Sequence, residues 1–200
     1  MIINQVTDLS LDGMIKISPD EGSAFFLRRE YLPSIEFERI YAGAEFNSEE
    51  EISELLDAGL AAAVEFKALS YLARCEQCHF NLANKLQKKG FQRKYIEMAL
   101  LYLEQKNYLN DKRFASAWLY SRALNHYEGK SKLICELLNR GIDKEICEEV
   151  VTEFFLEKDE VEIAKKAYEK YKKKGKEGEK LIQAMLQSGF SYKIIKNIVY

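Results

Sequence analysis

The sequence predicts a mainly α protein: tandem three-helix-bundle repeats, three units in an elongated array, preceded by a small N-terminal β-hairpin or three-stranded element. Three observations carry this. Glycines recur in similar settings, as KKGF at Gly90, NRGI at Gly141 and QSGF at Gly189, spaced 51 and 48 residues apart. Each has a leucine eight residues before it (Leu82, Leu133, Leu181) and Leu86, Leu137 or Met185 four before it. Finally, the only prolines are Pro19 and Pro33, so nothing beyond residue 33 forbids helix.

The first 33 residues read differently from the rest. INQVTDLSL, MIKIS and SAFFLRR are short runs with strand character, and Asp12-Gly13 between the first two is a hairpin signal. A second turn is expected at Pro19–Gly22. Ser48, followed three residues later by Glu51, then predicts a capped helix start.

From there the repeat dictates the elements. After each glycine an apolar set follows the i, i+3, i+4, i+7 pattern of a half-buried helix. It is Ile96, Ala99, Leu100 and Leu103 in the first copy, and Cys147, Val150, Val151 and Phe154 in the second. In the third it is Ile195, Ile198 and Val199. Each unit is thus helix, glycine-capped turn, helix, the glycine supplying the left-handed conformation that ends the first. A further helix precedes each pair, at roughly 61–74, 112–125 and 160–173. The expected division is 1–58 for the β-rich extension and acidic helix, then repeats at 59–109, 110–158 and 159–200. A unit of about fifty residues is too small for a full core, so neighbours are expected to stack.

Charge is spread unevenly. Residues 1–60 hold 4 Lys/Arg against 13 Asp/Glu, and residues 61–200 hold 26 against 19. An acidic head on a basic body suits an electrostatically oriented partner, although ordinary surface variation gives the same numbers. No secretory signal is visible and no window reaches the roughly 18 apolar residues of a membrane span, so a cytoplasmic, monomeric protein with reduced cysteines is expected, with no membrane partner.

One motif points elsewhere. Cys75-Glu76-Gln77-Cys78-His79 spells C-x-x-C-H, the attachment signature of c-type haem and half a zinc knuckle. In the repeat register it aligns with His126–Lys130 and Lys174–Gly178, the turns between the first and second helices of each unit. Cys78 then stands near a helix N-terminus, where a thiol pKa can fall. Cys147 takes the register of core Ile96 and Ile195, Cys135 that of polar Asn84 and Gln183. A zinc site needs four converging ligands, and this register scatters them. Neither catalytic constellation nor cofactor loop is found. The strongest charge feature is the stretch from Lys165 to Lys176, seven lysines interleaved with Tyr168 and Tyr171. It reads either as a phosphate-binding patch with stacking aromatics or as a solvated helix face with the tyrosines turned inward.

Residues 108–143 resemble the RecX family of recombinase regulators. The matching elements are Tyr108-Leu109, Asp111, Arg113-Phe114-Ala115, Arg122, Gly129 and the leucine-spaced helix ending at Gly141. ALSYLARCEQCHFNLANKLQKKGF resembles the family's preceding unit, and the strands with an acidic helix look like an extension found in some members. Asn110 stands where an acidic residue is common, Cys78 where a capping serine is common, and Asn81 where a capping-box Glu is common. The resemblance implies a non-enzymatic regulator, without cofactor or metal. Its partner would be the RecA recombinase, especially the RecA filament on single-stranded DNA. The alternative is a stand-alone helical nucleic-acid-binding module. Candidate partner-binding residues are the cations Arg113, Arg122, Lys130, Lys132, Lys170 and Lys173, with an ion pair to a neighbouring carboxylate as the other role for Arg113.

Overall fold

Three antiparallel strands begin the chain: β1 (Ile3–Asp8), β2 (Met14–Pro19) and β3 (Phe25–Arg28), in the order β1-β2-β3. This is a computed structural model, and it describes residues 1–9 and 13–199. Val6 pairs with Ile17 and Ile15 with Leu27, so Ile15 and Ile17 of the central strand are buried. The Asp12-Gly13 hairpin reading falls partly outside the described residues; Gly13 has φ +67°. A short helix α1 (Phe37–Tyr41) follows, and then α2 (Glu49–Leu72), the longest element at 24 residues.

Helix α2 starts where Ser48 and Glu51 predict. The Ser48 hydroxyl accepts from the Glu51 N–H at 3.1 Å. The reciprocal half of a capping box is replaced, because the Glu51 carboxylate takes Arg39 at 2.7 Å instead. The helix then runs unbroken through 58/59, so the expected acidic helix and the expected helix at 61–74 are one element. Nothing in DAGLAAAV stops it, and Gly59 has a packing role: a Cβ there would lie 2.6 Å from the Phe25 ring. The sheet lies on the helix at that point.

The remaining helices are α3 (His79–Gln87), α4 (Arg93–Gln105), α5 (Asp111–Ala123), α6 (Lys130–Leu138), α7 (Lys144–Glu157), α8 (Glu160–Lys173), α9 (Gly178–Gln187) and α10 (Tyr192–Val199). The three repeat glycines end α3, α6 and α9 in the same way. Their φ values are +91°, +75° and +87°. The residue after each one donates back to the carbonyl of Leu86, Leu137 or Met185, and the glycine N–H to that of Gln87, Leu138 or Leu186. This is the paired bonding of a Schellman motif. The position four before the glycine therefore supplies both an apolar side chain and the carbonyl that closes the turn.

Two compact units result. One comprises residues 1–75 and 82–109, the other 76–81 and 110–200. The first has a single core that joins the sheet (Ile17, Leu27) to α2 (Leu55, Ala62) and to α3 and α4 (Leu86, Leu100, Leu103). Within it lies a charged pair. Arg28 meets Glu65 through two bonds of 2.7 and 2.6 Å; the side chains are 3% and 1% exposed. The Tyr31 hydroxyl donates to Glu65 at 2.9 Å, and Arg28 donates to the Tyr102 hydroxyl at 2.6 Å. Burial opposes the Arg28 charge, but Glu65 outweighs it and the guanidinium pKa rises; burial and Glu65 together push the Tyr31 phenol far up. Both oxygens of the carboxylate are used, which a buried charge needs. The second unit has two smaller clusters, one around Leu119, Leu137, Val150 and Phe154 and one around Ala164, Ala167, Met185, Phe190 and Ile195.

A joint recurs inside the second unit. The Gly129 N–H donates to the Ser188 carbonyl at 2.8 Å, and the Cys78 thiol donates to the Arg140 carbonyl at 3.4 Å. Cys78 and Gly129 both stand twelve residues before a repeat glycine, while Arg140 and Ser188 stand just before the next one. The glycines are the seats of these joints. A Cβ on Gly141 would lie 2.6 Å from Phe80, and one on Gly189 would lie 2.3 Å from the Lys132 nitrogen.

Candidate partner-binding surface

The joint decides the fate of the C-x-x-C-H motif. Cys78 is buried, its thiol is pushed up chiefly by burial, and its Sγ faces Arg140 and the Asn81 N–H. The lowered pKa expected from a helix N-terminus is thus corrected: desolvation exceeds the help of the helix end. The His79 N–H is capped by Asp111 at 2.7 Å, while Cys75 is exposed. Cys147 is buried among apolar residues, with its thiol pushed up to about 11 by burial. Among the described residues, no three His, Cys, Asp or Glu converge as a metal site would require.

Four of the six candidate cations sit in ion pairs. Arg113 reaches Glu76 at 2.5 Å, and the N–H of Arg113 itself is capped by Asn110, so the residue at that departure position serves as the helix cap. Arg122 pairs with Glu128 through two bonds of 2.5 and 3.0 Å, which raises its pKa. Lys130 approaches Glu160 at 3.7 Å, and Lys132 bonds Glu136 at 3.0 Å. Lys132, and after it Arg140, hold the Glu136 carboxyl below its ordinary pKa. Two guanidinium groups lie over the Trp118 ring, Arg122 at 4.9 Å and Arg140 at 4.5 Å from its centre. The part of Arg140 was missed from sequence, although its place directly before a repeat glycine marked it.

Lys170 and Lys173 differ. They stand on α8 and make no ion pair among the described residues; Lys170 lies over the Tyr127 ring at 5.5 Å. With Lys165, Lys166 and Lys174 they border a groove of about 550 Å³. The same helix buries Ala164 and Ala167 on its opposite side. Tyr168 and Tyr171 pack against that core, and the Tyr171 hydroxyl bonds Ser188 at 2.6 Å. The tyrosines of the lysine stretch are therefore turned inward and are not a stacking platform. Beside the groove, sharing Tyr127 and Lys166 with it, is a slot of about 440 Å³ between α5, α7 and α8. Leu119, Leu133, Phe154 and Ile163 line its apolar interior, and Leu124, 79% exposed, stands at its mouth. No periodicity revealed the slot, because the ends of α5, α7 and α8 form it together with the 124–128 turn and Leu133 of α6.

Residues 110–151 match the model of the second three-helix domain of RecX. A regulatory protein RecX from Treponema pallidum is 30% identical over 132 residues, covering 66% of this chain and 80% of that one. Another from Clostridioides difficile is 33% identical over 164 residues, covering 78% and 76%.

The chain belongs to the RecX family.

Two solved RecX structures show the same fold. One, a crystal structure of regulatory protein RecX, has a TM-score of 0.75 at 20% identity and covers 99% of this chain and 98% of its own. RecX from Lactobacillus salivarius gives 0.61 at 24% identity, covering 70% of this chain and 94% of its own. The mainly helical fold with a three-stranded N-terminal sheet thus matches a RecX crystal structure over almost the whole chain. RecX relatives are named as regulatory proteins, and among the described residues no helix is long and apolar enough to cross a membrane.

Proposed function

We propose that this chain binds RecA and its filament on single-stranded DNA and limits filament extension. ATP hydrolysis, strand exchange and coprotease activity would fall with it, in a cytoplasmic setting linked to DNA repair and the SOS response. The observation that carries this reading is membership of a family of regulatory proteins, supported over 132 and 164 residues by relatives at 30% and 33% identity. A structural argument agrees: units joined in series can touch successive subunits of a polymer, and avidity then favours filament over free subunit. The proposed contact residues are Arg113, Arg122, Lys130, Lys132, Lys170 and Lys173, with Lys170 and Lys173 the ones making no ion pair among the described residues. The proposed working division remains an N-terminal extension and three repeats, acting as a monomer.

Co-sedimentation with RecA–single-stranded DNA filaments, with RecA ATPase measured in parallel, tests the reading. Co-pelleting with reduced ATP hydrolysis is expected; absence of both at stoichiometric protein rejects it. A second reading, a stand-alone nucleic-acid-binding module, is favoured by the lysine groove on α8. Salt-sensitive binding to DNA alone, with no effect on RecA, would select it.

A further inference from the structure

We propose that the slot between α5, α7 and α8 is a docking site for an acidic protein segment that inserts one large aliphatic side chain. The inference rests on the filament-binding reading for the partner's being a protein, and it names the chemistry of the contact.

The interior is aliphatic and phenyl, formed by Leu119, Leu133, Phe154 and Ile163, and its volume of about 440 Å³ exceeds that of one side chain. Leu124, an apolar residue 79% exposed, stands at the opening and would be covered by an occupant. The rim is cationic. Lys158 and Lys166 flank the slot and make no ion pair among the described residues, and Lys166 continues into the groove with Lys170 and Lys173. An apolar hole with cations around it complements an apolar residue with carboxylates around it.

The interior argues against a nucleobase. Stacking needs an open aromatic face. Phe154 and Tyr120 are packed edge-to-face at 5.4 Å, and the Tyr120 hydroxyl is held by Glu157. Tyr127 has Lys170 over its ring. Of the polar groups in the wall, which also include Ser121 and His126, the charged pair Arg122 and Glu128 satisfy each other. An aliphatic side chain asks for none of these groups.

The test uses the full chain labelled with ¹⁵N and a short peptide carrying one leucine between runs of glutamate. Titration is expected to shift the amides of Ala123, Leu124 and Lys166. Replacing the peptide leucine by serine, or the protein's lysines by Lys158→Glu and Lys166→Glu, is expected to weaken binding roughly tenfold. Equal shifts from the serine peptide, or no shift at Ala123 and Leu124, would overturn the proposal. So would an oligothymidylate that moves those amides while the peptide does not. In a second arm, Leu124→Glu, conservative for folding because the residue is exposed, is expected to lower co-sedimentation with RecA filaments several-fold. If parent and variant pellet equally, the slot is not the contact, while filament binding stands. If the parent does not pellet, filament binding fails, and the peptide titration alone decides the slot.

Discussion

The two compact units are held by opposite means. The first is specified by a buried charge: Arg28 on β3 and Glu65 in the middle of α2, closed by Tyr31 and Tyr102. The second has no comparable pair among its described residues; it is specified by glycine joints that repeat in register. The difference teaches how each is vulnerable. A buried ion pair fails when one partner is removed, because the other charge stays behind uncompensated. A glycine joint fails when anything at all is added.

Breaking the charge gives the largest expected effect. Glu65→Ala should destabilise the first unit by about 3–5 kcal/mol. Amide exchange should rise across the sheet and α2, while fluorescence of Trp118, in the second unit, stays as in the parent. Arg28→Met with Glu65→Leu should recover much of the loss; if it does not, the pair contributes more than the removal of an orphan charge.

The joint comes next. Gly189→Ala combines a left-handed backbone with a clash against Lys132, and should cost roughly 2–4 kcal/mol in urea unfolding followed by Trp118. Gly175→Ala, at φ +72° with open space around it, should cost only about 1–2 kcal/mol. Equal losses would mean that backbone conformation, and not the seat, is what matters.

Smaller still is the α2 cap: Ser48→Ala should cost about 1 kcal/mol in the first unit, read by thermal unfolding.

The thiols give the smallest effect. Cys78 is raised and Cys147 reaches about 11, both by burial. Their stabilising contribution is complete below the unfolded thiol pKa and is lost as pH rises toward about 11. At neutral pH this costs nothing; the second unit should weaken only as pH rises from about 9 toward 11, read by urea unfolding at each pH. Alkylation of native protein near neutral pH should label Cys75 and Cys135, the exposed pair, well before the other two.

What the sequence revealed was whatever repeated or was local. The glycine at the end of α3, α6 and α9, with its leucines at fixed distances, is written within nine residues, and α8 spans the predicted 160–173. The Ser48 cap is written within four. Distant pairings were not legible: Arg28 and Glu65 are 37 residues apart and carry no mutual signal. The continuity of α2 was hidden because the repeat register placed a unit boundary at 58/59, whereas Gly59 lies inside one helix and packs against the Phe25 ring. At the candidate surface, the lysine stretch was visible, but the inward turn of Tyr168 and Tyr171 depends on where the core lies, and the slot depends on three helix ends meeting a turn and Leu133 of α6.

The joint through Gly129 and Gly189 has one more consequence. Its bond runs between a main-chain N–H and a main-chain carbonyl, and its seat is set by main-chain atoms. Such a coupling places almost no demand on side-chain identity. Copies of the unit are then free to diverge in exposed positions while still docking: Gly141 and Gly189 keep their places, whereas Cys78 takes the place of Gly129 and bonds through its thiol. Within this one chain that divergence has already run far: the turns CEQCH, HYEGK and KGKEG occupy equivalent places with hardly a residue in common. A duplicated module joined in this way can acquire a new surface in one copy, such as the lysines of α8, without renegotiating its attachment to the next.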